Sequence, residues 1–138
     1  MKTWLIDTGP LVAYIDRSDP AHEAVASVLE PFAGQLVTTS AVVTEAMYFL
    51  GDSKGGAMAL AELLLNAGAR IEESTQPEQL LEAAQMMDKY GDTPMDFADA
   101  TLVLTGEALG ALEILTLDRR GFATYRTTKG KAFRQVLR

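Results

Sequence analysis

The sequence predicts an α/β fold: a parallel sheet with helices packed on its faces. Short apolar runs that read as strands alternate with segments whose apolar residues recur at helical spacing. Their order, β-α-α-β-α-α-β-α-α-β, separates successive strands by pairs of helices, and strands joined in that way pair in parallel through crossovers. No repeat, low-complexity tract or linker interrupts the alternation, so the 138 residues are expected to form one domain spanning 1–138.

The elements follow in order. TWLI (3–6) is a short buried strand bounded by Asp7, and Leu11, Val12 and Ile15 then fall at helical spacing from Thr8 to Asp16, with Pro10 tolerated in the first turn. Asp19 and Pro20 open a helix over His22–Glu30 that Pro31 and Gly34 end. QLVTTS is β-branched and strand-like, and Ser40 caps a helix through Val43, Met47 and Leu50. Ala57–Ala67, rich in Ala and Leu, reads as a mostly buried helix closed by Gly68, and RIEES as a weak strand. Pro77 opens a helix with Leu80, Leu81, Ala84 and Met87 on one face, ending near Gly91. Asp96 starts another with Phe97, Ala100, Leu104 and Ala108 inward, ended by Gly110. EILTLD is a strand with Asp118 at its end, and FATYR is expected as a short last strand.

Composition narrows the chemistry. A chain of this length buries roughly two-thirds of its unfolded surface and needs no staples. It has no cysteine, which excludes disulfides and thiolate metal sites, and its single histidine, His22, leaves little room for histidine ligation or a Ser-His-Asp triad. His22 itself reads as a surface residue. No basic segment followed by a long apolar run opens the chain, and no run approaches the roughly 18 apolar residues of a membrane span, so a cytoplasmic protein is expected.

Net charge is −7, but its distribution is lopsided. Arg119, Arg120, Arg126, Lys129, Lys131, Arg134 and Arg138 crowd the last stretch, which holds no acid; all 19 Asp and Glu precede it. Such asymmetry suggests a basic end that meets phosphate or an acidic partner, the alternative being a solvated tail.

The triplet Asp7-Thr8-Gly9 also occurs around the catalytic aspartate of pepsin-like proteases. Those are all-β, whereas here the triplet runs from a strand into a helix, which excludes a protease dyad. Asp7 and Asp118 instead lie at strand ends, where open α/β sheets bind ligands. Glu45, one turn into its helix, and Asp99, in the first turn of another, are placed to lean over the same edge. Four converging carboxylates repel, two of them 4 Å apart by about 4 kcal/mol at an effective dielectric near 20. All-oxygen donors favour Mg²⁺ or Mn²⁺ over zinc. Each acid has a structural alternative: Asp7 as helix cap, Glu45 as an exposed helix residue, Asp118 as a turn residue. Of Asp96 and Asp99, which share one helix face, Asp96 is assigned to the cap.

LIDTGPLVAYID, the glutamate in TTSAVVTEAMYFL, MDFADATLVLTGEALG and ILTLDRRGF together, in this order, resemble the PIN-domain family, especially its VapC-like toxins. The resemblance implies a three-layer α/β/α sandwich over a short, mostly parallel sheet. It implies Asp7, Glu45, Asp99 and Asp118 as catalytic and metal-holding acids for Mg²⁺ or Mn²⁺, with Thr8 and Thr116 supporting them. It implies a metal-dependent endoribonuclease that hydrolyses RNA and is restrained by an antitoxin protein. A housekeeping RNA-processing nuclease and a PIN-like module without activity are the alternatives. Many relatives carry an acid just before the phenylalanine of the last motif; Gly121 stands there, which leaves Asp118 the only acid of its motif and puts a second metal in doubt. The continuous run Met47-Tyr48-Phe49-Leu50 suggests apolar contact surface and a homodimer.

Overall fold

The structure, a computed structural model, describes residues 1–137; Arg138, counted above in the basic stretch, lies outside them. Among the described residues there are five strands: β1 Thr3–Ile6, β2 Gln35–Thr39, β3 Arg70–Glu72, β4 Glu113–Leu115 and β5 Arg134–Gln135. Seven helices join them: α1 Thr8–Ile15, α2 His22–Leu29, α3 Ser40–Phe49, α4 Gly56–Asn66, α5 Pro77–Lys89, α6 Phe97–Leu109 and α7 Arg119–Thr124. The sheet order is β3-β2-β1-β4-β5 and every pair is parallel. The chain steps from β1 to β3 toward one edge and from β4 to β5 toward the other. Right-handed crossovers therefore put α1–α4 on one face and α5–α7 on the opposite face, the three-layer sandwich anticipated.

Burial on both faces explains why the central strands are continuously apolar. Leu5 pairs with Val37 on one side and Ile114 on the other, and all three are buried with Ile6 and Leu115. No helix among the described residues is long and apolar enough to cross a membrane.

Four expectations change. The helix over Ala57–Ala67, expected to be mostly buried, is α4 and buries only Gly56, Leu60 and Leu64, one stripe four residues apart, while Met58 and Leu65 are exposed. FATYR is not a strand: Arg119–Thr124 is the helix α7, and the last strand is Arg134–Gln135. Phe122 and Tyr125, the two buried aromatics of that stretch, stand three apart, a helical spacing rather than the period of two a strand requires. On α5 the packed residues are Ala83 and Met86, while Leu81 is 62% exposed. That sequence offers two overlapping apolar stripes, and packing against α6 selects the one that continues to Tyr90, whose ring meets Tyr125 edge-on at 5.1 Å. On α6 burial is not confined to one side: Ala98, Ala100, Thr101, Leu102, Val103 and Thr105 are all buried, whereas Ala108 is exposed. Gly106 shows how closely α6 lies on the sheet, since a Cβ there would stand 2.6 Å from the Ala111 carbonyl and 2.8 Å from Leu5 Cδ1.

Candidate active site

Between β1 and β4 the strand order reverses, and the crevice outside their carboxyl ends is where such a sheet offers a ligand site. Asp7 follows β1 directly. Its backbone N–H donates to the Leu115 carbonyl (3.0 Å), fixing it beside the end of β4. One carboxylate oxygen accepts from the Thr8 N–H and the other from the Thr116 hydroxyl, each at 2.8 Å. Thr116 Oγ1 in turn accepts the Asp118 N–H at 3.0 Å, so one hydroxyl ties the ends of the two strands together. Asp7 is thus both the cap of α1 and a member of the crevice.

Asp96 and Asp99 cap each other reciprocally. The Asp99 N–H donates to Asp96 Oδ1 (2.8 Å), and the Asp96 N–H donates to Asp99 Oδ2 (3.1 Å). The cap assigned to Asp96 is therefore present, and the same contact aims Asp99, which is buried while Asp96 is exposed. Half-buried Glu45 comes from the middle of α3, a helix that contacts α6. Thr39, at the end of β2, caps α3 in place of the expected Ser40; its hydroxyl also meets Thr101 of α6 at 2.8 Å.

Asp7, Glu45, Asp99 and Asp118 line one cleft of about 330 Å³, joined by Asp96 and Thr8. Among the described residues no Lys or Arg lines it. Asp19 also borders it, a residue read above only as a helix start; its carboxylate accepts the Ala21 N–H (2.8 Å), a turn role that matches its sequence context and gave no sign of the cleft. Burial pushes the Asp7 carboxyl up to about 6, against the pull of the Thr116 and Thr8 hydrogen bonds and with a further push from Asp96 and Asp118. Asp99 is raised as well, by burial first and then by the neighbouring Asp96 and Asp7. The acids' field reaches Tyr125: burial and then Asp99 and Asp118 make its phenol harder to ionise.

These residues fit a hard divalent cation. The donors are all oxygen, no described cation of the protein lines the cleft to neutralise them, and the buried Thr8 hydroxyl has no hydrogen-bond partner among the described residues. Among the described residues no three acid or histidine side chains are already gathered at ligand distance around one point.

Gly121 has a specific role. A Cβ there would stand 2.3 Å from Asp118 Oδ2, and the Gly121 N–H donates to Asp118 Oδ1 at 3.1 Å. The Asp118 carboxylate therefore lies across the start of α7 in space a side chain at 121 would fill.

The basic stretch divides. Arg126 donates to the carbonyls of Ala123, Thr124 and Tyr125 (2.9–3.1 Å) at the end of α7, and Arg134 pairs with Glu113. Arg119 and Arg120, just beyond Asp118, are exposed. The expected surface role of His22 is revised: it is half-buried, with Nδ1 2.9 Å from the Ala13 carbonyl and its ring stacked near Tyr14. In the apolar run of α3, Leu50 is buried and Met47 half-buried, leaving Tyr48 and Phe49 exposed.

The family model described as PIN domain matches residues 4–127, which include all four acids. The chain belongs to the PIN-domain family. Ribonuclease VapC26 of Mycobacterium tuberculosis is 35% identical over 130 residues, 94% of this chain and 96% of that protein. A solved structure of M. tuberculosis VapC20, described as a sarcin-ricin-loop-cleaving toxin, shares the fold at a TM-score of 0.74 and 20% identity, over 83% of this chain and 89% of that one. The PIN-domain architecture is thus shared, and the acidic crevice sits on its central strands.

Proposed function

We propose that this PIN-domain chain is a metal-dependent endoribonuclease that hydrolyses RNA phosphodiester bonds, the toxin of a toxin-antitoxin pair. The observation that carries the reading is the convergence of Asp7, Glu45, Asp99 and Asp118 with the Thr8 hydroxyl in one cleft that no described basic side chain lines. Similarity along nearly the whole chain to a protein named as a VapC ribonuclease supports it.

Asp7 and Asp99, the two buried acids, would hold Mg²⁺ or Mn²⁺, with Glu45 and Asp118 completing the set. When bound, the ion supplies a water of lowered pKa and neutralises charge that builds on the phosphoryl oxygens. The protein's own part is orientation. Thr116 fixes the Asp7 carboxylate, Asp96 fixes that of Asp99, and the Gly121 N–H fixes that of Asp118. The Thr8 hydroxyl, buried beside Asp7 and without a partner among the described residues, would support the acids or a metal-bound water. Exposed Arg119 and Arg120 would hold neighbouring phosphates at the rim, positioning the RNA without entering the chemistry. An antitoxin partner would act by covering this cleft.

The test is cleavage of purified RNA by the purified chain, with excess chelator and then with added Mg²⁺ or Mn²⁺. Chelation should abolish cleavage and either ion restore it; full activity in excess chelator would overturn the metal-dependent mechanism.

A further inference from the structure

Beside the acidic cleft lies a second, larger groove of about 700 Å³, and the two share Glu45, Phe49 and Asp96 as a common wall. We propose that this groove is a nucleobase subsite: it takes an unstacked base of the RNA next to the bond being cut, with the base lying against Phe49 and Tyr48. The inference rests on the ribonuclease reading and adds to it a preference for single-stranded or opened RNA.

Three observations point to a base. The first is the pair of aromatic rings. Tyr48 is 80% exposed and Phe49 58%, and they meet edge-to-face with centroids 5.6 Å apart, which leaves ring faces open to a planar partner. Burying such rings in the core would have been favourable, and neighbouring Leu50 is indeed buried. Exposed aromatics beside a positioned backbone are how single-stranded nucleic acid is commonly gripped, because every base has a face to stack.

The second is spacing. Glu45 and Phe49 stand four residues apart on α3, a little over one helical turn or about 6 Å along its axis. A phosphate bound at the cleft through a cation on the acids would therefore present its adjoining nucleoside to Phe49 without bending the chain away from the surface.

The third is charge. Among the described residues no Lys or Arg lines the groove, and beyond the shared wall of Glu45 and Asp96 its lining is uncharged, so it offers phosphate no cation to bind and no cluster of acids to hold one, while it can accept an uncharged ring. The hydroxyls of Ser40, Ser74 and Thr75 line it and offer donors and acceptors to a base edge. Backbone phosphates are left to the cleft and to the arginines beyond Asp118.

The test uses a short single-stranded oligoadenylate with one 2-aminopurine, bound by the chain with its acids intact in Ca²⁺, which takes the same oxygen donors, so that cleavage does not intervene. Fluorescence should change on binding, and adding Tyr48→Ala with Phe49→Ala should weaken affinity by roughly 5- to 150-fold, the worth of one stacked base. Phe49→Trp should retain it, and both exposed-ring variants should melt as the parent does. Equal affinity with and without the rings would overturn the base subsite alone. An oligonucleotide that binds neither form would overturn the ribonuclease reading as well. If the ring variants keep RNA affinity but fall from dimer to monomer, or lose inhibition by a protein partner, the groove serves that protein and the proposal fails.

Discussion

Asp7 and Asp99 are 7% and 9% exposed in a cleft lined by no described Lys or Arg, whereas Arg119 and Arg120, immediately beyond Asp118, are exposed to water. The two regions adjoin and carry opposite charge, yet the protein treats them differently. In the crevice, like charges are buried, aimed by short hydrogen bonds from Thr8, Thr116 and Asp96, and left without compensation. In the basic segment, Arg126 and Arg134 are engaged by protein groups and only part of the positive charge faces outward. Uncompensated burial costs free energy unless something outside the chain offsets it, which in the function proposed above would be a cation, while the arginines are divided between contacts within the protein and the exposed rim.

The strongest way to break this contrast is within the acids. Asp7→Asn and Asp99→Asn should each lower cleavage by more than about 100-fold, beyond what loss of an outer supporting group costs. Asp96→Ala should cost about 0.5–2 kcal/mol of stability as a lost cap and reduce cleavage less than Asp99→Asn does. Melting and single-turnover rates measured together separate the two roles; a reversed ranking would assign the ligand to Asp96.

Titration sharpens the same point. Asp7 sits near 6 when folded, above the ordinary value of 3.8, so the native state binds the extra proton between those values. Its contribution to stability is present in full below about pH 4 and is lost as pH rises through about 6, a change on the order of 3 kcal/mol. Raised Asp99 acts in the same direction at its own carboxyl. In chelator, Tm should therefore fall between about pH 4 and 6, and Asp7→Asn should flatten the fall. Mg²⁺ should raise Tm more at pH 7 than at pH 5, because protons and the ion compete for the same oxygens.

Gly121→Ala probes the edge between the regions. The Cβ can be accommodated if Asp118 turns away, which costs no more than about 1 kcal/mol as a lost cap, but it should reduce cleavage by roughly 10- to 100-fold. Unchanged activity would mean that Asp118 needs no fixed orientation.

Much of the fold and of the crevice is legible in the sequence. Strand-end acids can be read because a buried apolar run that stops abruptly at a carboxylate, as Ile6-Asp7 does, places that charge at the rim of the sheet, and the alternating elements fix the parallel pairing. The reciprocal cap is half legible: an Asp three residues before another predicts a cap but not that the second is aimed by it. FATYR misleads because so short a stretch carries too few residues to separate a period of two from one of three, and α5 because its two apolar stripes differ only in which neighbour they meet. Phosphate binding cannot be read from basic content alone, since the carbonyls that occupy Arg126 exist only after α7 folds.

The smallest expected effect follows from that division. Arg119→Ala with Arg120→Ala should flatten the salt dependence of RNA binding by about 0.7–0.9 in slope for each phosphate no longer held, with stability unchanged. Arg126→Ala should instead lower Tm and leave the slope alone, as its guanidinium is bonded to α7.

The central claim, that the crevice is built around a hard divalent cation, is tested most directly by anomalous diffraction from crystals soaked in Mn²⁺. The account predicts a peak between Asp7 and Asp99, about 2.1 Å from an oxygen of each, and no such peak in Asp99→Asn. A peak elsewhere, or none at Mn²⁺ concentrations that support cleavage, would contradict it.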